Sequence, residues 1–243
     1  MSPRILFAAA ALAALSLGGC QKDDPGFDAK VKAYLMAHPD QLRAAIDNMQ
    51  AKEEAAEEAA ADQKARAALP ALHNALERDP RDFVANPNGK VTVAEFYDYR
   101  CPHCINIAPK VVGLIRSHPD VRFVFKEMPI FGATSEHAAR AAFAAKQQGK
   151  DYVGLYEAFM ADHALDDAAV DKIAASKGVN IALMNAPATQ AADAQQLSDI
   201  SDLFKALGFE GTPGFVVGDQ FIRGEDFDGL QAAINKAEGK HAG

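Results

Sequence analysis

Cysteine, tryptophan and basic residues are scarce in this chain, and each shortage narrows the possible classes of protein. The 243 residues include three cysteines and no tryptophan, and 33 acidic residues outnumber 25 basic ones, giving a formal net charge of −8. Three cysteines cannot form a framework of several structural disulfides, and the acidic balance argues against a nucleic-acid partner. An apolar fraction of 49% and a charged fraction of 24% are typical of a globular domain.

Only one long apolar run is present, at residues 5–17. It is too short to span a bilayer and is typical of a secretory signal. Residues 17–20 resemble a bacterial lipobox, which predicts removal of residues 1–19 and lipidation of Cys20; a simply cleaved signal is the alternative. Gln21 after the cysteine favours the outer membrane. The expected location is therefore the periplasm, with a lipid anchor in the outer membrane.

The most informative motif is Cys-Pro-His-Cys at residues 101–104. A strand-like run at residues 91–97 precedes it, and apolar residues at helical spacing follow it over residues 105–117. The motif thus lies at a strand-to-helix junction, where the unpaired N–H groups of the helix N-terminus stabilise a thiolate. Because the thiolate is the nucleophile of disulfide exchange, the motif predicts a redox-active pair of cysteines.

The rest of the chain divides into a tether, a helical extension and a domain of strands and helices. Residues 20–26 form the polar tether. Residues 27–80 have helical patterning without a sustained heptad, which leaves two interpretations: a solvated spacer or an oligomerisation stalk. Residues 81–238 are predicted to form a domain that contains a helical block at about 135–207, broken by glycines and a proline, followed by a hairpin and a final helix.

This order of elements resembles an α/β fold, the thioredoxin fold with an inserted helical domain. With the motif and Gly211-Thr212-Pro213, the chain resembles the DsbA family of thiol–disulfide oxidoreductases, and the lipobox and helical extension resemble its Com1-like and ScsC-like envelope members. The resemblance implies that Cys101 is the nucleophile and Cys104 the resolving cysteine. It implies no cofactor.

The resemblance also assigns roles to residues around the two cysteines. Pro102 and His103 belong to the catalytic motif, and His103 is expected to stabilise the thiolate of Cys101. Thr212 and Pro213 are expected to bind the substrate chain, with Pro213 at the position of the family's cis-proline. The presence of Thr212 there is typical of isomerases and leaves the direction of exchange open.

Glu95 and Lys126 match a buried acid and a buried lysine of the same family. Two hypotheses apply to them: Glu95 relays protons to the thiols, or the two residues form a structural ion pair. Three phenylalanines near the predicted site are interpreted as core residues rather than as a substrate groove: Phe125, Phe131 and Phe215.

The predicted function is dithiol oxidation of envelope proteins, with a membrane redox partner that restores the active form. The alternative is a disulfide isomerase or reductase that acts as an oligomer through its N-terminal helices. A distant alternative is a metal-binding envelope module, because two cysteines at this spacing also bind metals. A structural zinc site needs four ligands and the chain has no second cysteine pair, so no metal site is predicted.

Overall fold

A computed structural model of the chain describes residues 25–239. The predicted signal at residues 1–19, the lipidation site Cys20 and most of the tether lie outside the described residues. Two compact units are distinguished, Met1–Ala55 and Ala56–Gly243. Among the residues that the structure describes, no helix combines the length and apolar character needed to cross a membrane.

The described part of the N-terminal unit, residues 25–55, is helical. Helix α1 covers Pro25–Ala37, and α2 begins at Pro39 and continues to Glu77 in the second unit. The ring of Tyr34 stacks on His38 with the ring centroids 4.1 Å apart. Large apolar side chains on these helices are exposed: Phe27, Val31, Tyr34, Leu35, Met36, Leu42, Ile46 and Met49. Within this unit these side chains therefore gain little of the stabilisation that burial provides.

The C-terminal unit is a sheet with helices before, within and after it. The strands are β1 (Phe83–Ala85), β2 (Val91–Tyr97), β3 (Val121–Glu127), β4 (Gly214–Val217) and β5 (Gln220–Arg223). The helices after α2 are α3 (Pro102–Ser117), α4 (Ala133–Gln147), α5 (Tyr152–Ala161), α6 (Asp167–Ser176), α7 (Ile181–Met184), α8 (Pro187–Ala206) and α9 (Phe227–Ala237). The predicted α/β fold with a helical block inserted between strands is confirmed.

The strand order of the sheet is β1-β3-β2-β4-β5. Strands β2 and β3 are parallel, as a crossover through α3 requires, whereas β4 pairs antiparallel with β2 and forms a hairpin with β5. The short edge strand β1 pairs antiparallel with β3; the sequence pattern did not indicate it. Every residue of β3 is buried, because helices cover both faces of the sheet.

Alternate residues of the central strands enter two hydrophobic clusters, one on each face of the sheet. Tyr97 and Phe125 belong to a cluster with residues of α3, α5 and α9. Phe96 and Val124 belong to a second cluster with residues of α8 and the C-terminal part of α2. The first face positions the cysteine motif, because α3 packs there.

The C-terminal part of α2 belongs to the same compact unit as the sheet. Leu76 is buried in the second cluster, and the guanidinium of Arg223 lies 2.7 Å from the Asp62 carboxylate. The unit that contains the sheet begins at Ala56.

The helical block breaks at the residues that the sequence indicates. Gly149 and Gly178, with φ of 63° and 82°, follow the ends of α4 and α6, and Pro187 begins α8. Glycine adopts this left-handed conformation without the steric cost of a side chain. Asp151 and Asp166 begin the next helices by accepting hydrogen bonds from backbone N–H groups.

Candidate active site

The cysteine motif lies where β2 turns into α3. Strand β2 ends at Tyr97, and Pro102 is in the first turn of the helix, where its missing N–H leaves no bond unmade. Cys101 is the N-cap residue in an extended conformation, and its N–H donates to the carbonyl of Asp98 at 3.2 Å. Cys101 and Cys104 are both free and buried thiols. Cys101 is thus fixed at the positive end of the helix dipole.

A loop before β4 brings Thr212 and Pro213 against Cys101. The Thr212–Pro213 peptide bond is cis, and the thiol of Cys101 donates to the Thr212 carbonyl oxygen at 3.1 Å. The Pro213 carbonyl accepts from the N–H of Gly224 at 2.9 Å, which ties the loop to the hairpin. Residues separated by more than a hundred positions in sequence therefore share one site.

The two cysteines have opposite acid–base properties. A hydrogen bond from the Cys104 thiol is the largest influence on Cys101 and, although burial opposes it, the pKa of Cys101 is lowered to about 5. The backbone N–H groups of Cys104 and His103 lower it further. Burial raises the pKa of Cys104 well above its ordinary value. Near neutral pH the reduced pair is therefore a Cys101 thiolate beside a Cys104 thiol.

His103 contributes to this arrangement through its backbone. Its side chain is exposed, and Nδ1 lies 3.3 Å from a carboxylate oxygen of Glu225, which is in the loop between β5 and α9. The structure therefore supports a contribution of the His103 N–H to thiolate stabilisation. The expected contribution of the imidazole stays a prediction.

Glu95 lies on the face of β2 that α5 covers. The Tyr156 hydroxyl donates to Oε1 of Glu95 at 3.2 Å, while Oε2 is buried without a hydrogen-bond partner. Burial raises the pKa of Glu95 to about 8, although the bond from Tyr156 lowers it. Both Glu95 and Cys104 act electrostatically on Tyr156 and help to raise its pKa, which burial raises most. Glu95 and the Cys104 thiol therefore share Tyr156 as a neighbour.

Lys126 lies on the opposite face of the sheet from Glu95. In the parallel register Glu95 is paired with Phe125 and Lys126 with Phe96, so successive side chains point to opposite faces. The Lys126 ammonium forms a buried ion pair with Asp82. The hypothesis of an ion pair between Glu95 and Lys126 is therefore wrong.

A family model described as Thioredoxin matches residues 79–236. The chain belongs to the thioredoxin family. It is 30% identical over 161 residues to the thiol:disulfide interchange protein DsbA of Bordetella pertussis, covering 61% of this chain and 75% of that protein.

Two solved structures of the family extend the likeness. A thioredoxin-like oxidoreductase from Silicibacter pomeroyi is 38% identical, with a TM-score of 0.60 over 70% of this chain and 98% of the other. Proteus mirabilis ScsC in a transitional conformation is 26% identical, with a TM-score of 0.64 over 89% of this chain and 97% of the other. The chain is accordingly a DsbA-like protein-disulfide oxidoreductase.

Glu127 is a buried residue of this family member that the sequence reasoning missed. Its Oε1 accepts hydrogen bonds from the hydroxyls of Tyr152 at 2.5 Å, Tyr97 at 2.6 Å and Tyr99 at 3.0 Å. Burial raises the pKa of Glu127 to about 8, although the tyrosine bonds lower it. Tyr97 and Tyr99 belong to the segment that leads into the cysteine motif, so this cluster holds that segment in place. The sequence signal for this cluster is the spacing of Tyr97 and Tyr99, which lie two residues apart just before the cysteine motif.

Asp98 holds a second loop beside the cysteines. Its Oδ2 accepts from the N–H groups of Ile130 at 2.6 Å and Phe131 at 2.9 Å. The side chains of Ile130 and Phe131 are 43% and 45% exposed. The assignment of Phe131 to the core is therefore wrong, and those of Phe125 and Phe215 are confirmed. Phe131 lies in a loop that the Asp98 carboxylate holds at the surface.

We expect Lys126→Met to reduce the free energy of unfolding by ~3–5 kcal/mol, because it leaves the Asp82 carboxylate buried and unpaired. Denaturant unfolding measures the change. The double variant Asp82→Asn/Lys126→Met is the control and should lose less than the sum of the single variants. Exchange activity per folded molecule should stay unchanged. A loss below ~1 kcal/mol for the single variant would show that the pair is not desolvated.

Proposed function

We propose that this chain is a periplasmic dithiol oxidase that transfers the Cys101–Cys104 disulfide to cysteine pairs of envelope proteins. The observation that carries this proposal is the position of Cys101 at the N-cap of α3, where the pKa of its thiol is lowered to about 5 beside a Cys104 whose pKa is raised. Stabilising the thiolate stabilises the reduced form, and a protein with a stabilised reduced form is a strong oxidant, as the disulfide oxidase DsbA illustrates.

The exchange begins with the oxidised pair. A substrate thiolate attacks Sγ of Cys101, a mixed disulfide forms, and the bond to Cys104 breaks. The second substrate thiolate then attacks the substrate sulfur of the mixed disulfide. The substrate leaves with a new disulfide, and Cys101 leaves as a stabilised thiolate. Two electrons have passed to the enzyme, which a membrane redox partner must remove before the next cycle.

The backbone around Pro213 is suited to hold the substrate chain during attack. The Thr212 carbonyl points at the Cys101 sulfur in the reduced state, and a substrate sulfur bound to Cys101 would bring its own backbone to the same loop. Main-chain hydrogen bonds to an extended segment are a sequence-tolerant mode of recognition. This mode suits an enzyme that acts on many envelope proteins.

Glu95 supplies the proton that Cys104 takes up when its bond to Cys101 breaks. Cys104 leaves into a buried environment that disfavours its thiolate. Glu95 is a buried acid whose pKa is raised to about 8, so it is protonated near neutral pH. Tyr156, which donates to Glu95, also lies in the electrostatic neighbourhood of Cys104. Of the two roles considered for Glu95, the proton relay is thus the one we propose.

The Glu95→Gln variant tests the relay. We expect the step that releases Cys104 to slow by ~10-fold or more, because a buried proton donor is lost.

The same variant should change how the stability of the fold depends on pH. Because the pKa of Glu95 in the folded protein is raised to about 8, the stability that this group contributes is present below pH ~4.5 and is lost as the pH rises through 8. The variant should therefore gain about 3 kcal/mol over the native protein between pH 5 and 8.

Glu127→Gln is the matched control for this experiment. Glu127 has the same raised pKa of about 8 but three tyrosine partners. Stopped-flow reduction of the oxidised enzyme, followed by quenching and mass analysis, reports the release of Cys104. If the two variants slow this step equally, Glu95 is not a specific proton donor.

An oxidation assay tests the proposed direction of exchange. The oxidised chain is mixed in stoichiometric amounts with a reduced, unfolded protein that regains enzymatic activity on forming its disulfides. We expect rapid loss of substrate thiols with matching reduction of Cys101 and Cys104. Oxidation no faster than that by an equal concentration of oxidised glutathione would overturn the oxidase proposal.

The periplasmic location and the lipid anchor are supported by the sequence of residues 1–21. Export is consistent with the oxidising compartment in which a disulfide donor is useful. Expression of the native chain and of Cys20→Ser in a bacterium, followed by membrane fractionation, tests the anchor. The native chain should be recovered with the outer membrane, and the variant should be released. Equal release of both would support the simply cleaved signal.

The exposed apolar side chains of the N-terminal unit favour a second candidate, an isomerase or reductase that acts as an oligomer. Leu42, Ile46 and Met49 recur at helical spacing on α2 and are exposed. Other copies of this chain are the proposed occupants of that face. Under this candidate the native chain is an oligomer that repairs a substrate with scrambled disulfides. The variant Leu42→Lys/Ile46→Lys should then be a monomer that has lost the repair activity.

A further inference from the structure

Two adjoining cavities form a cleft beside the active-site helix. The smaller has a volume of about 290 Å³ and the larger about 420 Å³, and Ile105 and His163 line both. The other apolar residues of the larger cavity come from α3 and α5: Ala108, Pro109, Met160 and Ala161. The cleft is therefore open along one flank of α3 and is mostly apolar at its wide end.

The cleft is lined by residues that flank the two cysteines in sequence. Tyr99 and Arg100, which precede Cys101, line the smaller cavity, and Ile105, which follows Cys104, lines both. In the part of the chain that the structure describes, neither cavity is lined by the 212–213 loop. The polypeptide of a substrate joined to Cys101 continues on both sides of the substrate cysteine. The 212–213 loop is placed to contact the segment on one side, and the cleft is placed to contact the segment on the other.

One backbone carbonyl of α3, in a residue that lines the cleft, lacks its helical donor. Pro109 lies inside α3, and proline has no N–H with which to bond the carbonyl four residues earlier, that of Ile105. A buried or half-buried carbonyl needs a partner. A backbone N–H of an extended chain in the cleft can supply it, beside a site for an apolar side chain.

The carboxylates around the cleft are engaged within the protein. Glu157 accepts two hydrogen bonds from the Arg116 guanidinium, at 2.7 and 2.8 Å. Asp162 accepts from the N–H of Ala164 at 3.0 Å. These contacts fix the rim and neutralise Glu157, so the wide end presents apolar surface to whatever enters it.

We propose that this cleft is a second substrate subsite, which takes a large apolar side chain of the cysteine-containing polypeptide on the side that Thr212 and Pro213 do not hold. The inference rests on the proposed disulfide exchange. It gives the enzyme a preference for cysteines that have an apolar residue nearby, as in unfolded segments that will be buried after folding. The burial of such a side chain stabilises the mixed disulfide.

The test uses two cysteine peptides that differ only at the second residue on each side of the cysteine, leucine in one and serine in the other. Reduction of the oxidised full-length chain by each peptide and by glutathione is measured as a second-order rate. Ala161→Trp fills the wide end from an exposed position, and Ala168→Trp places the same side chain at an exposed position on α6 away from the cleft.

We expect the native chain and Ala168→Trp to react ~10-fold faster with the leucine peptide than with the serine peptide. Ala161→Trp should react at equal rates with both peptides, while its rate with glutathione stays within ~2-fold of native, since glutathione has no apolar side chain to bury. A leucine preference that survives in Ala161→Trp, or is absent from the native chain, overturns the subsite. Failure of the native chain to react with glutathione as well would overturn the exchange activity itself.

Discussion

Replacing Cys104 with serine is expected to stop exchange after its first step and to leave substrate proteins joined to Cys101. In this variant the Cys101 thiolate, with its pKa lowered to about 5, attacks a disulfide of a substrate protein; a mixed disulfide forms and the other substrate cysteine leaves as a thiolate. Without the Cys104 thiol, no internal nucleophile can displace the bound substrate. Non-reducing electrophoresis of envelope extracts should show bands that reducing agent removes, and turnover should fall by at least ~100-fold.

Cys101→Ser is the matched control, and it should lose exchange without accumulating mixed disulfides. Burial keeps the pKa of Cys104 high, so the remaining thiol is a poor nucleophile near neutral pH. Mixed disulfides that accumulate on Cys101→Ser but not on Cys104→Ser would reverse the assigned order of attack.

The second large effect concerns the stability of the reduced protein as a function of pH. The folded pKa of Cys101, about 5, is below the ordinary value of 9.0. A depressed folded pKa gives stability that is present at higher pH and is lost as the pH falls through 5. Between pH 7 and pH 4 the reduced protein should lose about 2–3 kcal/mol of unfolding free energy from this group alone.

Other carboxylates titrate over the same interval, so the effect must be isolated by difference. Denaturant unfolding of the reduced native chain and of reduced Cys101→Ser at each pH removes the shared contributions. The difference should shrink toward pH 4, and the iodoacetamide reactivity of Cys101 should titrate with a midpoint near 5. A difference that does not change with pH would mean that the thiolate is not specially stabilised.

The sequence allowed prediction of those parts of the site that lie close together along the chain. The strand, motif and helix at residues 91–117 could be predicted because local patterning and helix-terminus chemistry decide them. The breaks at Gly149 and Pro187 could be predicted for the same reason, since glycine and proline limit backbone conformation locally. Pro213 required the family resemblance, because nothing near it in sequence shows that it contacts Cys101.

Pairing between distant residues was less predictable. Lys126 and Asp82 meet because β1 pairs with β3 with Phe83 opposite Phe125, which brings the preceding Asp82 beside Lys126, and the sequence did not indicate β1. A one-residue step along β3 decides whether a side chain faces Glu95 or Asp82. The tyrosines around Glu127 come from β2, the loop after it and α5, so only the folded chain shows that they share one oxygen.

The most direct test of the account is the equilibrium between the full-length chain and glutathione buffers of defined composition. Alkylation of free thiols followed by mass measurement gives the fraction reduced, which suits a chain without tryptophan. The account predicts a two-electron couple at ~−120 to −180 mV, the range of strong oxidants and isomerases. A couple near ~−270 mV, as in thioredoxin, or the absence of exchange at Cys101 would contradict it.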